Sequence, residues 1–165
     1  MQDLTLKLSE VFAAQIVQKT EQASRFYYRL VLVVAPSGSG KTSALREVQQ
    51  SLGAPLVNVN LEISRRMLDL TGRQRALRVS RLLEDILREA EGEVVLLDNI
   101  EILFDRSLKQ DPLRLLQRLS RNRTVLANWN GEIKGNYLIY AAQEHPEYHR
   151  YPANELMVAE LKKNP

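Results

Sequence analysis

The stretch "LVLVVAPSGSGKTSAL", residues 30–45, runs from five consecutive apolar residues through a loop of small residues into Gly-Lys-Thr and then a helix-forming segment. An unbroken apolar run ending in Ala-Pro predicts a strand over 29–34 that is buried on both faces, as in a parallel sheet. The loop that follows has the parts a phosphate-binding turn needs. Gly38 and Gly40 let the backbone curl so that its N–H groups converge on phosphate oxygens. Lys41 supplies a cation for the β- and γ-phosphates, and Thr42 offers a hydroxyl to Mg²⁺. A helix predicted over 41–52 points its positive end at the same place. Pro36, Ser37, Gly38, Ser39, Gly40, Lys41, Thr42 and Ser43 are therefore the candidate residues for holding ATP. Ala35 stands where the usual pattern has its first glycine, a modest departure because Ala is also small.

The flanking sequence alternates strand and helix signals. Leu8, Val11, Phe12 and Ile16 follow three- and four-residue spacing within 4–22, the stripe of an amphipathic helix ahead of the first strand. Gly53 is a candidate C-cap for the helix 41–52, with Pro55 just beyond. Residues 55–62, "PLVNVNLE", predict a second strand in which Asn58, Asn60 and Glu62 share a face, and 93–98, "EVVLLD", a third. An arginine-rich helical stretch, 63–91, is interrupted near Gly72. Asp111 as N-cap and Pro112 at the first helical position begin another helix, and 123–130, "RTVLANWN", predict a fourth strand. Beyond Asn130 the pattern changes, and 137–142, "YLIYAA", are expected to form the last strand. Strands alternating with helices give an α/β, three-layer fold with a mostly parallel sheet. Its expected parts are an N-terminal helix in 1–25, a nucleotide-binding core over 29–142 and a C-terminal tail, 143–165.

A second motif supports the first. An acidic residue at the end of a neighbouring strand holds Mg²⁺ through water in such folds, and "VVLLD" ends in Asp98. The next residue is Asn99, whose amide cannot take a proton from water, so a base must come from elsewhere or hydrolysis is slow. Glu101 and Glu62 are the candidates, Glu101 preferred. Asn128 and Asn130, at the C-terminal end of the fourth strand, can align a water against the γ-phosphate, although Asn130-Gly131 also reads as a plain turn.

Arginines crowd two places, Arg65 to Arg88 in the helical stretch and Arg114, Arg118, Arg121 and Arg123 before the fourth strand. Solvated helix faces explain them; a trans-acting arginine or a DNA-contacting surface are the sharper readings. Trp129, Tyr137, Tyr140, Tyr148 and Tyr151 read as a packed C-terminal edge, and His145 and His149 lack a metal-ligand constellation.

The 165 residues suit one domain. A hydrophobic fraction of 44% with 26% charged residues is ordinary for a soluble protein, and no apolar run approaches a membrane span of about 18 residues. There is no cysteine, and "MQDLTLKLSEVF" lacks the pattern of a secretory signal, so a cytoplasmic location is expected. A net charge of +3 with pI near 9.3 permits nucleic-acid contact without requiring it.

"APSGSGKT", "VNVNLEISRRMLDLT", "VVLLDNIEILFD", "LKQDPLRLLQRLSRNRTVLANWNG" and "HPEYHRYP" together resemble the BrxF family, small P-loop proteins of type 3 BREX phage-defence systems. That resemblance spans nearly the whole chain and implies an ATPase-type subunit working with other BREX components. The chain also resembles a truncated AAA+ core, in which polar residues after the second and fourth strands sense nucleotide; Asn60 and Asn128 or Asn130 match those positions. Only 35 residues follow Asn130, which leaves out the usual helical lid, and no arginine lies between the fourth strand and the strand expected at 137–142. The expected activity is slow Mg²⁺-dependent ATP hydrolysis by a homo-oligomer. The alternatives are a nucleotide-dependent assembly module or a DNA-contacting accessory subunit.

Overall fold

A computed structural model describes residues 2–36 and 38–161. The apolar run after Arg29 becomes strand β1 (Leu30–Ala35), every residue of which is buried. Its neighbours are β4 (Thr124–Lys134) on one side and β7 (Met157–Glu160) on the other, both parallel to it. With β2 (Leu56–Asn58) and β3 (Val94–Asp98) the order across the parallel sheet is β2-β3-β4-β1-β7.

Alternation along β1 and β4 divides the core. Val31, Val33 and Leu126 face α1 (Gln2–Ala23) and α2 (Lys41–Leu52), packing with Phe12, Ile16, Leu45 and Val48. Leu30, Leu32, Val34, Val125 and Trp129 join the opposite cluster, which includes residues of α3 (Val59–Arg66), α4 (Gly72–Glu89) and α5 (Pro112–Leu119). These are the three layers. A buried large apolar side chain stabilises by about 1.5–3 kcal/mol and a helix cap by about 1 kcal/mol, so the two apolar faces hold the fold and the caps set where helices begin. Asp111 accepts from the Arg114 N–H at 3.2 Å with Pro112 at the first helical position, and Thr71 and Gln74 form a reciprocal capping box that starts α4 at Gly72. Gly53 closes α2 in the left-handed conformation.

Four expectations need correction. The stripe on α1 splits: Phe12 and Ile16 are buried with Ala13 against β1 and α2, whereas Leu8 and Val11 remain exposed. The strand expected over 55–62 stops at Asn58, whose side chain accepts from the Leu61 N–H at 3.0 Å and caps α3. Asn60 and Glu62 are thus helical, and Val59, Ile63 and Met67, four residues apart, are what the segment buries. Asn130-Gly131 is not a turn but lies inside β4, which outruns the parallel sheet and pairs antiparallel with β5 (Tyr137–Tyr140). Finally, β5 is not the last strand: β6 (His149–Pro152) pairs with it, and β7 then returns to the parallel sheet beside β1.

Candidate functional site

The phosphate-binding loop sits where β1 gives way to α2. Gly38 and Gly40 have φ of +77° and +84°, a region that other residues enter only with strain, and the space a Cβ would occupy at each is open. The Ser39 N–H donates to Pro36 O at 3.3 Å to close the turn. Lys41 is the first residue of α2, with Thr42 and Ser43 exposed in its first turn. Ser37, also expected here, lies outside the described residues.

Register brings the end of β4 to this loop, because Ala35 is paired with Asn130 and Val33 with Asn128. Period-two alternation puts both asparagines on the face from which α2 springs. Lys41 is buried, and its Nζ donates to Ala35 O at 3.1 Å, to Trp129 O at 3.3 Å and to Asn130 Oδ1. The other end of the Asn130 amide, Nδ2, donates to Glu101 Oε1. Burial pushes the Lys41 ammonium down to about 8, opposed by the charges of Glu101 and Asp98.

A second pairing lies alongside. Asn128 Nδ2 donates to Asp98 Oδ1 at 2.6 Å, and the Asn99 N–H donates to the same oxygen at 2.8 Å. Asn99 takes the left-handed conformation at φ +51° and so turns the chain sharply into a 3-10 helix, Ile100–Phe104, that carries Glu101. The carbonyl of Asn99 accepts from the Asn60 N–H at 3.0 Å, tying the start of α3 to this corner. The Asn60 side chain turns along α3 instead, accepting from Ser64 at 3.3 Å.

The structure therefore gathers Lys41, Asn130 and Glu101 into one chain of hydrogen bonds and Asp98 with Asn128 into another. Glu62 is not part of either. It points along α3 toward Arg65 and Arg66, at 3.8 and 3.7 Å. The aromatic residues buttress Glu101's helix: Phe104 stacks on Tyr140 with ring centroids 3.5 Å apart, and Trp129 meets Phe104 edge-on at 5.1 Å. Burial pushes the Tyr140 phenol up to about 12, helped by Glu101 and Glu147. Phe104 carries no signal in the local sequence that would have set it beside Trp129; the pairing of β3 with β4 brings the 3-10 helix against Trp129, and the antiparallel return of β5 adds Tyr140. Tyr151 joins this cluster, whereas no ring contact ties Tyr148 to it among the described residues, and Tyr137 stands apart beneath Arg150.

The donor set fits a nucleotide with Mg²⁺. Asp98 offers a carboxylate and Thr42 a hydroxyl, the hard oxygen ligands Mg²⁺ takes, and the buried Ser39 Oγ and Asn128 Oδ1 have no hydrogen-bond partner among the described residues. A family model, AAA (ATPase family associated with various cellular activities), matches residues 31–148, from β1 into the hairpin beyond β5.

The chain belongs to the AAA family of ATPases.

The match places this AAA domain among nucleotide-binding P-loop proteins. The solved structure of C. elegans PCH-2 is similar over 97% of this chain and 43% of that one, at 17% identity and a TM-score of 0.43, so the chain spans less than half of that protein. No curated protein matches. Among the described residues no helix is long and apolar enough to cross a membrane.

Proposed function

We propose that this AAA domain binds ATP with Mg²⁺ and hydrolyses it slowly, as a homo-oligomeric cytoplasmic subunit of a type 3 BREX phage-defence complex. The observation that carries the hydrolytic part is the hydrogen-bonded chain Lys41–Asn130–Glu101, which holds a carboxylate within one amide of the phosphate-binding lysine. Lys41 and the N–H groups of Gly38 to Thr42 would hold the phosphates, and Thr42 and Asp98 the metal. Mg²⁺, when bound, supplies charge neutralisation at the β- and γ-phosphate oxygens. Glu101 accepts the proton of the attacking water, with Asn130 fixing the direction of its carboxylate. Asn128 holds Asp98 and reports its position to β4. The BREX assignment rests on the resemblance of those sequence strings to the BrxF family.

Phosphate release by wild type, Glu101→Gln and Glu62→Gln tests the proposed base. Glu101→Gln should abolish turnover while ATP still binds, and Glu62→Gln should leave it within about twofold. The reverse order would reassign the base to α3 and overturn the reading.

Asn99 favours a second reading, in which ATP drives assembly and hydrolysis is incidental, because the residue next to Asp98 cannot accept a proton. Sizing with a non-hydrolysable ATP analogue separates the two: nucleotide-dependent assembly at undetectable turnover supports the second. DNA contact through the arginine-rich helices is the weakest variant, since Arg65, Arg66, Arg81, Arg88 and Arg114 are already engaged with Glu62, Glu89, Asp85 or Asp111.

A further inference from the structure

The end of the sheet opposite the phosphate-binding loop carries a patch that nucleotide chemistry leaves unused. Between α1 and β1 the chain reads Arg25-Phe26-Tyr27-Tyr28-Arg29, and its three aromatic rings are 58%, 65% and 42% exposed. Three successive large rings kept in water forgo burial that would stabilise the fold, which marks a contact surface. The Arg29 N–H donates to Ser120 O at 2.9 Å, drawing the turn after α5 to the same place. From that turn the Arg121 guanidinium lies 4.8 Å from the centre of the Tyr27 ring, and Tyr28 meets Tyr27 edge-on at 4.9 Å. Beside the rings a cavity of about 350 Å³ opens, lined also by the apolar Leu30, Leu32, Leu156 and Met157 and by Gln117, Asn154 and Glu155.

Charge identifies the occupant. Arg25, Arg29 and Arg121 make no ion pair among the described residues, unlike the paired arginines of α3 and α4. Exposed planar rings beside arginines that pair with no acid match a chain of unstacked bases joined by phosphates: Phe26 and the Tyr27 face not covered by Arg121 offer stacking surfaces, and the guanidinium groups offer phosphate partners. An apolar protein segment would need the rings but not three arginines that pair with no acid in the same short segments of chain. A duplex would use the cations but has no free base faces to offer the rings.

We propose that this patch binds single-stranded nucleic acid, with Phe26 and Tyr27 stacking bases and Arg25, Arg29 and Arg121 meeting phosphates. The site lies at the other end of the sheet from Lys41, so its test needs no nucleotide and is independent of the ATPase reading. Fluorescence anisotropy with labelled oligothymidylate and oligouridylate of about 16 nucleotides, and with a duplex of equal length, measures it. The single strands should bind more tightly than the duplex, and the DNA and RNA arms tell which sugar is preferred. Phe26→Ala and Tyr27→Ala should each weaken single-strand binding roughly tenfold, and Tyr27→Leu should do the same because stacking needs a planar ring. Arg25→Ala should lower the slope of log affinity against log salt by about 0.7. All three side chains are exposed, and an unchanged thermal melt for each of the four variants establishes that the fold is intact. No binding, binding that prefers the duplex, or binding that Tyr27→Leu retains would overturn the proposal. So would Phe26→Ala changing the oligomeric state by sedimentation, which would reassign the patch to a contact between copies.

Discussion

Asn130 uses both ends of its amide, accepting from Lys41 and donating to Glu101, so each of those charged groups is held by a neutral partner that either can leave. Without Asn130 the Glu101 carboxylate loses its fixed direction, while Lys41 keeps its bonds to Ala35 O and Trp129 O. Asn130→Ala should therefore lower turnover by about tenfold or more and change ATP affinity much less, read from phosphate release beside an ATP titration. Lys41 makes a pH prediction with a definite sign. Its folded value of about 8 lies below the ordinary 10.5, so above about pH 8 the free protein holds it increasingly neutral, and the arriving phosphates restore its charge. ATP binding should then take up no proton near pH 7 and a growing fraction of one as pH rises past about 8, measured by calorimetry in buffers of different ionisation enthalpy. Lys41, Thr42 and Asp98 were legible in the sequence because each sits in a local pattern, strand then glycine loop then helix, or apolar strand then carboxylate. The sequence favours Glu101 over Glu62, but the geometry that sets them apart was not legible, because it depends on Asn99 turning the chain at positive φ and on α3 carrying Glu62 toward its own arginines.

Among the elements, the boundary between β2 and α3 shows how one sequence satisfies two periods. Val57, Val59 and Leu61 alternate with Asn58, Asn60 and Glu62 as in a strand, yet Val59, Ile63 and Met67 also fit one face of a helix. The Asn58 cap, a local bond across three residues, and the burial of that helical face, a tertiary fact, settle the matter together. The β4–β5 hairpin is similar. Asn-Gly is a strong turn signal, but Gly131 is there for close approach: a Cβ at this position would lie 2.0 Å from Ile139 O and 2.9 Å from the Trp129 indole nitrogen, which donates to that same carbonyl at 3.2 Å. Gly131→Ala should open this contact, lower the melting temperature and shift the emission of Trp129, the single tryptophan, to the red. Because Trp129 O and Asn130 hold Lys41, turnover should fall in the same variant although position 131 touches no nucleotide.

The placement of β7 changes how copies of this chain are expected to meet. A four-residue strand after a loop gives little local signal, and its pairing with β1 joins residues more than 120 positions apart, so the sequence alone predicts the strand at 137–142 as the last. With β7 beside β1, the stretch between β4 and the edge of the parallel sheet no longer lacks an arginine: it contains Arg150, on β6. The Arg150 guanidinium lies over the Tyr137 ring, 4.1 Å from its centre, and makes no ion pair with an acid among the described residues. Arg114, Arg118, Arg121 and Arg123 are already committed within their own subunit, to Asp111, Ser80, the Tyr27 ring and the Leu87 carbonyl. If a second copy completes the site, Arg150 is thus the residue to supply charge at the γ-phosphate, a contribution worth roughly 10³ to 10⁵ in rate for such arginines. Specific activity should rise with protein concentration, and Arg150→Ala should be inactive while binding ATP normally. Mixed with wild type at a fixed total concentration, Arg150→Ala should depress activity below the value for simple dilution, since each inactive copy also fails its neighbour. Arg118→Ala under the same conditions should dilute and no more. Activity of Arg150→Ala equal to wild type, or a mixture that follows dilution alone, would leave each subunit with a self-sufficient site and remove the reason for these copies to share one.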